Sequence, residues 1–182
     1  MTEPEFSRTA RIDTLGTEPR MLSFGANEQE RAALARRFEL VAIDRLSAEA
    51  ELTRTGDTVR ARGTLSAEVT QSCVASGAPI PAQVEEDFAI EFRPPPEGGS
   101  AEEEIELSEG ELDVVFYSGS SVDVGEAVAE TLWLSLEPFP RAPEAEDALK
   151  EAGVKSEEEA ARELSPFAGL AALKDKLGGE GA

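Results

Sequence analysis

Three consecutive runs between Leu46 and Phe92 alternate apolar and polar residues, and this period of two restricts the fold more than any other feature. In the first, Leu46, Ala48, Ala50 and Leu52 alternate with Ser47, Glu49, Glu51 and Thr53. After Gly56-Asp57, Val59, Ala61, Gly63, Leu65, Ala67 and Val69 alternate with Arg60, Arg62, Thr64, Ser66 and Glu68. The third sets Ile80, Ala82, Val84, Phe88, Ile90 and Phe92 against Pro81, Gln83, Glu85, Asp87, Ala89, Glu91 and Arg93. Successive side chains of a strand point to opposite faces, so each run reads as a strand with one buried and one solvated face. A two-residue loop at Gly56-Asp57 fixes the first hairpin, placing Leu52 against Ala61, Ala50 against Gly63 and, outside, Glu51 against Arg62. For the second pair, Val69 against Val84 brings Cys73 opposite Ile80, Leu65 opposite Phe88 and Gly63 opposite Ile90. Small then meets large across the inner face. Glu86 interrupts that face and is expected near an edge or water.

Around these strands the period changes. Asn27 with Glu30 has the spacing of a capping box and opens a helix over Glu28–Phe38, with Leu34 and Phe38 on one face. Asp123 with Glu126 opens another, in which Val124, Val128, Leu132 and Leu136 recur every four residues until Pro138 and Pro140 end it. Trp133 lies beside that stripe and is expected to anchor the core. Phe6–Ile12 alternates weakly and reads as an edge strand, and Leu112–Tyr117 as a last strand. Pro94-Pro95-Pro96-Glu97-Gly98-Gly99 and the glutamates up to Glu111 read as an acidic loop. In the tail, Ser156 with Glu159 and Ser165-Pro166 each open a short helix, the second carrying Phe167, Leu170 and Leu177 at helical spacing. A helix that short is marginal alone and must dock.

The predicted architecture is therefore α+β: an antiparallel β-sheet, open or barrel-like, packed with amphipathic helices. Residues 1–140 form the domain and 141–182 a C-terminal helical tail.

Charge is unevenly placed. The net charge is −21, and residues 71–140 contribute 16 acids against Arg93 alone. Such a segment repels phosphate and suits basic proteins, although charge runs are more often plain solvated surface. The arginines that could face RNA are Arg31, Arg36, Arg37, Arg60 and Arg62, all N-terminal to the acidic block.

Several chemistries are excluded or disfavoured. The chain has no histidine, which removes Ser-His-Asp and Cys-His catalysis and histidine-ligated metals. Its one cysteine, Cys73, cannot form an intramolecular disulfide, which suits a reducing compartment. No phosphate-cradling or dinucleotide glycine pattern occurs, and the acidic loop lacks the ordered spacing of a calcium loop. No apolar run is long enough to span a bilayer, and nothing near Met1 resembles a secretion signal. These observations point to a cytoplasmic, non-enzymatic protein without cofactor or metal.

The bend Gln71-Ser72-Cys73-Val74-Ala75-Ser76-Gly77-Ala78-Pro79-Ile80 carries no charge. Cys73 has no charged neighbour there to activate it, and strand parity turns it inward, as a small buried hydrophobe. The bend reads as a contact rim, with Gln71, Ser76 and Pro79 as candidate partner contacts together with Phe167, Leu170 and Leu177.

The Gln71-Ser72-Cys73 bend, Glu85-Glu86-Asp87-Phe88, the series Leu132, Leu134, Leu136, Pro138 and Pro140, and the terminal Pro166-Phe167-Ala168-Gly169-Leu170 to Leu173-Lys174 together resemble the YceD family, in its alphaproteobacterial branch. The likeness runs over nearly the whole chain. It implies a role in accumulation of large-subunit (23S) ribosomal RNA and in ribosome assembly, without an implied catalytic activity. The implied partner is a large-subunit ribosomal protein or precursor rRNA. The sequence departs from the family at Ser76, where many relatives carry the second cysteine of a Cys-x-x-Cys pair. A single cysteine without histidine cannot close a four-ligand zinc site.

Overall fold

The computed structural model describes residues 4–96 and 113–154. Five strands form one sheet in the order β2-β3-β4-β5-β6, with β2 at Arg20–Gly25, β3 at Ala42–Thr55, β4 at Thr58–Ser72, β5 at Pro79–Arg93 and β6 at Asp113–Phe116. The three predicted runs are the long central strands. Their two faces separate largely as the alternation requires: Leu46, Ala48, Ala50, Leu52, Val59, Ala61, Leu65, Ala67, Val69, Phe88, Ile90 and Phe92 are buried, and Glu91, expected on the solvated face, is buried as well. The sheet is open, so the barrel-like alternative is set aside.

The β3–β4 hairpin has the expected register, with Leu52 opposite Ala61, Ala50 opposite Gly63 and Glu51 opposite Arg62. Gly56 takes φ 61° at the first loop position, a conformation that glycine adopts without steric cost. Gly63 meets a different constraint. A Cβ there would lie 1.9 Å from the Glu49 carbonyl oxygen, so β3 and β4 come this close only because the side chain is absent.

The β4–β5 register differs from expectation by two residues. Gly63 faces Phe88, Leu65 faces Glu86 and Val69 faces Ala82. A shift of two keeps every side chain on its expected face, which is why burial is unaffected. Cys73 does not face Ile80. It belongs to the turn, where its N–H donates to the Ala78 carbonyl at 2.8 Å, and Ile80 faces Gln71.

Three further differences concern the periphery. Strand β2, whose exposed Met21 blurs the alternation, pairs antiparallel with β3. Strand β6 pairs parallel to β5, so the sheet is mixed. The expected N-terminal edge strand is shorter, β1 at Thr9–Arg11, and joins β7 at Ser121–Asp123 in a separate two-stranded sheet.

Helix α1 at Glu28–Arg37 has the full capping box. The Asn27 side chain accepts from the Glu30 N–H, and the Glu30 carboxylate accepts from the Asn27 N–H. Helix α2 at Val124–Ser135 is capped by Asp123, whose Oδ1 accepts from the N–H of Gly125 and Glu126. Leu34 and Phe38 from the first helical segment and Val124, Val128, Leu132 and Leu136 from the second join the sheet's buried residues in one core. Trp133 is not a core anchor. It remains 48% exposed with its ring stacked on Phe38 at 5.3 Å, because it sits one step off the stripe that the core absorbs.

Two compact units result. One comprises residues 1–72 and 79–140; the other joins the turn Cys73–Ala78 to the segment from Arg141 onward. The second contains α3 at Ala145–Glu151, a helix absent from the sequence expectations. The expected helices from Ser156 to Leu177, with Phe167, Leu170 and Leu177, lie outside the described residues. Among those described, no helix is long and apolar enough to cross a membrane.

Candidate functional site

The uncharged bend is a hydrogen-bonded turn. Besides the Cys73–Ala78 contact, the Gly77 N–H donates to the Cys73 carbonyl at 2.8 Å. Cys73 is buried, and its Sγ accepts the backbone N–H of Ala142 at 3.3 Å. That donor and those of Ser76 and Ala75 outweigh burial, and they lower the thiol from its ordinary 9.0 to about 6. The activating group is thus a backbone N–H far along the chain, which no inspection of neighbouring charges reveals. Gln71 is also turned inward: 8% exposed, it donates from Nε2 to the Glu137 carbonyl at 2.8 Å. Ser76 and Pro79 are exposed.

The five candidate arginines fall into two groups. Arg31 Nη1 donates to the Ala26 carbonyl at 2.9 Å. Arg37 sits between two carboxylates, 3.1 Å from Glu5 and 2.8 Å from Glu126. Arg60 Nε lies 2.7 Å from Glu91, whose other oxygen is taken by Arg93. Glu91 is only 1% exposed. Burial raises its carboxyl pKa, but the hydrogen bonds from Arg93 and Arg60 outweigh that, and the net shift is downward. Arg36 and Arg62 are exposed and make no ion pair among the described residues. They lie on different elements, α1 and β4, so the structure does not assemble the five into one patch of unneutralised positive charge.

Residues outside the contact set expected from the sequence form the more coherent surface. Glu86, Asp87, Phe88 and Ala89 of β5, Asp113 at the start of β6, and Thr131, Leu134 and Ser135 of α2 line a groove of about 410 Å³. Glu86, Asp87 and Asp113 are exposed, and Leu134 is 76% exposed. The groove therefore combines carboxylates with uncovered apolar surface. The available signal was the Glu85-Glu86-Asp87 triplet, with Glu86 on the apolar parity. Asp113 could not be added without knowing that β6 runs beside β5.

Among the described residues, no group of three or more Asp, Glu or Cys side chains could hold a metal ion. The arrangement instead suits noncovalent recognition of a cationic, partly apolar surface.

The family model described as large ribosomal RNA subunit accumulation protein YceD matches residues 61–174, more than half of the chain. The chain belongs to the YceD family. The match starts inside β4 and takes in β5, β6, α2 and the whole groove, whereas α1 and its arginines precede it. YceD membership ties the protein to accumulation of large-subunit rRNA, as the resemblance implied. No curated protein and no solved structure matches the chain significantly.

Proposed function

We propose that this YceD protein supports large-subunit rRNA accumulation as a non-enzymatic assembly factor that holds a basic protein partner on its acidic sheet edge. One observation carries the reading. Glu86, Asp87 and Asp113 of the middle segment line one groove with exposed Leu134, while Arg37 and Arg60 are neutralised by carboxylates of the same chain. A surface of this kind attracts cationic protein and repels phosphate. Ser76 and Pro79 on the bend, with Phe167, Leu170 and Leu177 of the tail, complete the candidate contact set.

Direct binding of precursor rRNA is the second reading, favoured by the exposure of Arg36 and Arg62. Titrating the purified protein with precursor large-subunit rRNA and with basic large-subunit proteins, at low and physiological salt, separates the two. The expected result is affinity for a basic protein that weakens with salt. Steeply salt-dependent binding to naked rRNA, lost on Arg36→Ala/Arg62→Ala, would establish the second reading instead. Binding to neither would overturn both.

A further inference from the structure

The groove lies along an unfinished sheet edge. Strand β5 runs from Pro79 to Arg93, yet β6 covers only Ile90–Arg93. Residues 79–89 therefore have β4 on one side and no strand partner on the other among the described residues. Which backbone groups face outward follows from one contact. The Arg93 carbonyl accepts the Tyr117 N–H at 2.9 Å, so the polar groups of Arg93 point away from β4. Backbone groups alternate sides along a strand, and the β4–β5 pairing is one-to-one throughout. Gln83, Glu85 and Asp87 accordingly present N–H and C=O outward. Pro79 and Pro81 fall in the same set, where their missing N–H costs the β4 ladder nothing.

From these features we infer that the β5 edge is a strand-addition site for an extended cationic segment of a partner protein. Main-chain pairing with Gln83, Glu85 and Asp87 would supply affinity, and the alternating side chains of the guest would supply specificity. On one face the guest meets the Glu85 and Asp87 carboxylates. On the other it meets Glu86 and Leu134 at the groove, with Asp113 at its end. A guest that alternates basic and apolar residues matches both.

Charge selects this occupant over others. Residues 97–112 of the chain carry seven acids and no base, and a second copy of a −21 chain brings the same acids to the same edge. Like charges across a ladder are destabilising. A nucleic acid strand meets the same repulsion.

The test uses the full chain and a synthetic peptide of about ten alternating lysine and valine residues, a length matched to the open edge. A peptide with glutamate replacing lysine is the control. Binding is read by fluorescence anisotropy, and amide exchange is followed at Gln83, Glu85 and Asp87. The lysine peptide is expected to bind and slow these three amides, and the glutamate peptide to do neither. Glu86→Lys/Asp113→Lys should weaken binding roughly tenfold or more, because two attractions to the guest's lysines become repulsions. Glu85→Pro should abolish amide protection, because it removes an outward donor while leaving the β4 ladder intact.

No binding by the lysine peptide overturns the inference, as does wild-type affinity in both variants. Binding that survives Glu85→Pro but is lost on charge reversal overturns strand addition. Slow exchange at these amides in the free protein overturns it too, because the edge would already be covered. Should Glu85→Pro fail to fold, the wild-type exchange pattern and the charge-reversal variant still decide. The inference rests on the basic-partner reading, but the two fail separately. Capture of basic large-subunit proteins by Glu85→Pro at wild-type affinity would leave that reading standing and remove the edge from it.

Discussion

Arg60 Nε donates to Glu91 Oε1 at 2.7 Å across the β4–β5 ladder, and the accepting carboxylate is almost wholly buried while the guanidinium is 54% exposed. An arginine in this position holds a buried charge in place before it can contribute to any outside contact.

Arg60→Ala leaves Glu91 with Arg93 as its one remaining ion-pair partner among the described residues. We expect a loss of about 1–2 kcal/mol, below that of a fully buried pair because Arg60 is half solvated. Arg62→Ala, at an exposed residue with no ion pair among the described residues, should stay within about 0.5 kcal/mol. Urea unfolding of both variants checks the contrast. Because the folded Glu91 pKa lies below its ordinary 4.5, its contribution is present above pH 4.5 and disappears as pH falls through the folded value. Glu91→Gln should therefore flatten the acid limb of the stability curve.

Gly63→Ala tests the close approach of β3 and β4. A methyl group 1.9 Å from the Glu49 carbonyl oxygen forces the backbones apart, at a cost of about 3 kcal/mol, the upper end of overpacking penalties. Ala61→Gly, on the same strand and face, removes volume without a clash and should cost less. Thermal melts of the two variants decide this.

Cys73 should alkylate with a pH midpoint near 6, below that of an ordinary thiol, although burial will slow the reaction at every pH. Its folded pKa is depressed from 9.0 to about 6. Its contribution to stability is therefore full above pH 9.0, falls between there and about 6, and is gone below. In Cys73→Ser the hydroxyl does not ionise in this range, and that part of the pH dependence should vanish. Iodoacetamide labelling rates and melts across pH 5 to 10 (a window chosen to bracket both values) report it.

Asp123 does more than cap α2, since the same Oδ1 accepts the Arg8 N–H at 2.8 Å and Oδ2 accepts the Ser7 hydroxyl at 2.5 Å. Asp123→Ala removes both the cap and the tie to the N-terminal strand, for an expected loss of about 2 kcal/mol. Asp123→Asn keeps an acceptor oxygen and should recover most of it. Amide exchange at Arg8, accelerated in the alanine variant only, distinguishes the tie from the cap.

The elements that the sequence made legible are those with local punctuation. The Gly56-Asp57 loop is too short to permit another register, so β3 and β4 pair as their alternation requires. Asn27 and Asp123 mark where α1 and α2 begin. The six-residue turn Cys73–Ala78 imposes no such limit, and small-against-large packing alone chose a register two residues away. Charge would have chosen better. The expected register sets Arg60 against Arg93, whereas the observed one sets Arg60 against Glu91 and Thr64 against Asp87, whose side chains hydrogen-bond at 2.8 Å. The parallel β6, and with it the groove at Asp113, depends on a long connection whose destination leaves no trace in periodicity. Trp133 stays outside the core: hydrophobicity says that a residue prefers burial, not that the stripe has room for it.

On the proposed function, YceD activity in the cell runs through the acidic edge and not through the arginines. Large-subunit and small-subunit rRNA should be quantified in cells that lack the protein and are complemented with wild type, Glu86→Lys/Asp113→Lys or Arg36→Ala/Arg62→Ala, each confirmed as folded and equally abundant. The arginine variant is expected to restore large-subunit rRNA to the wild-type level and the charge-reversed variant is not. Full restoration by the charge-reversed variant, with failure of the arginine variant, would contradict the proposed function.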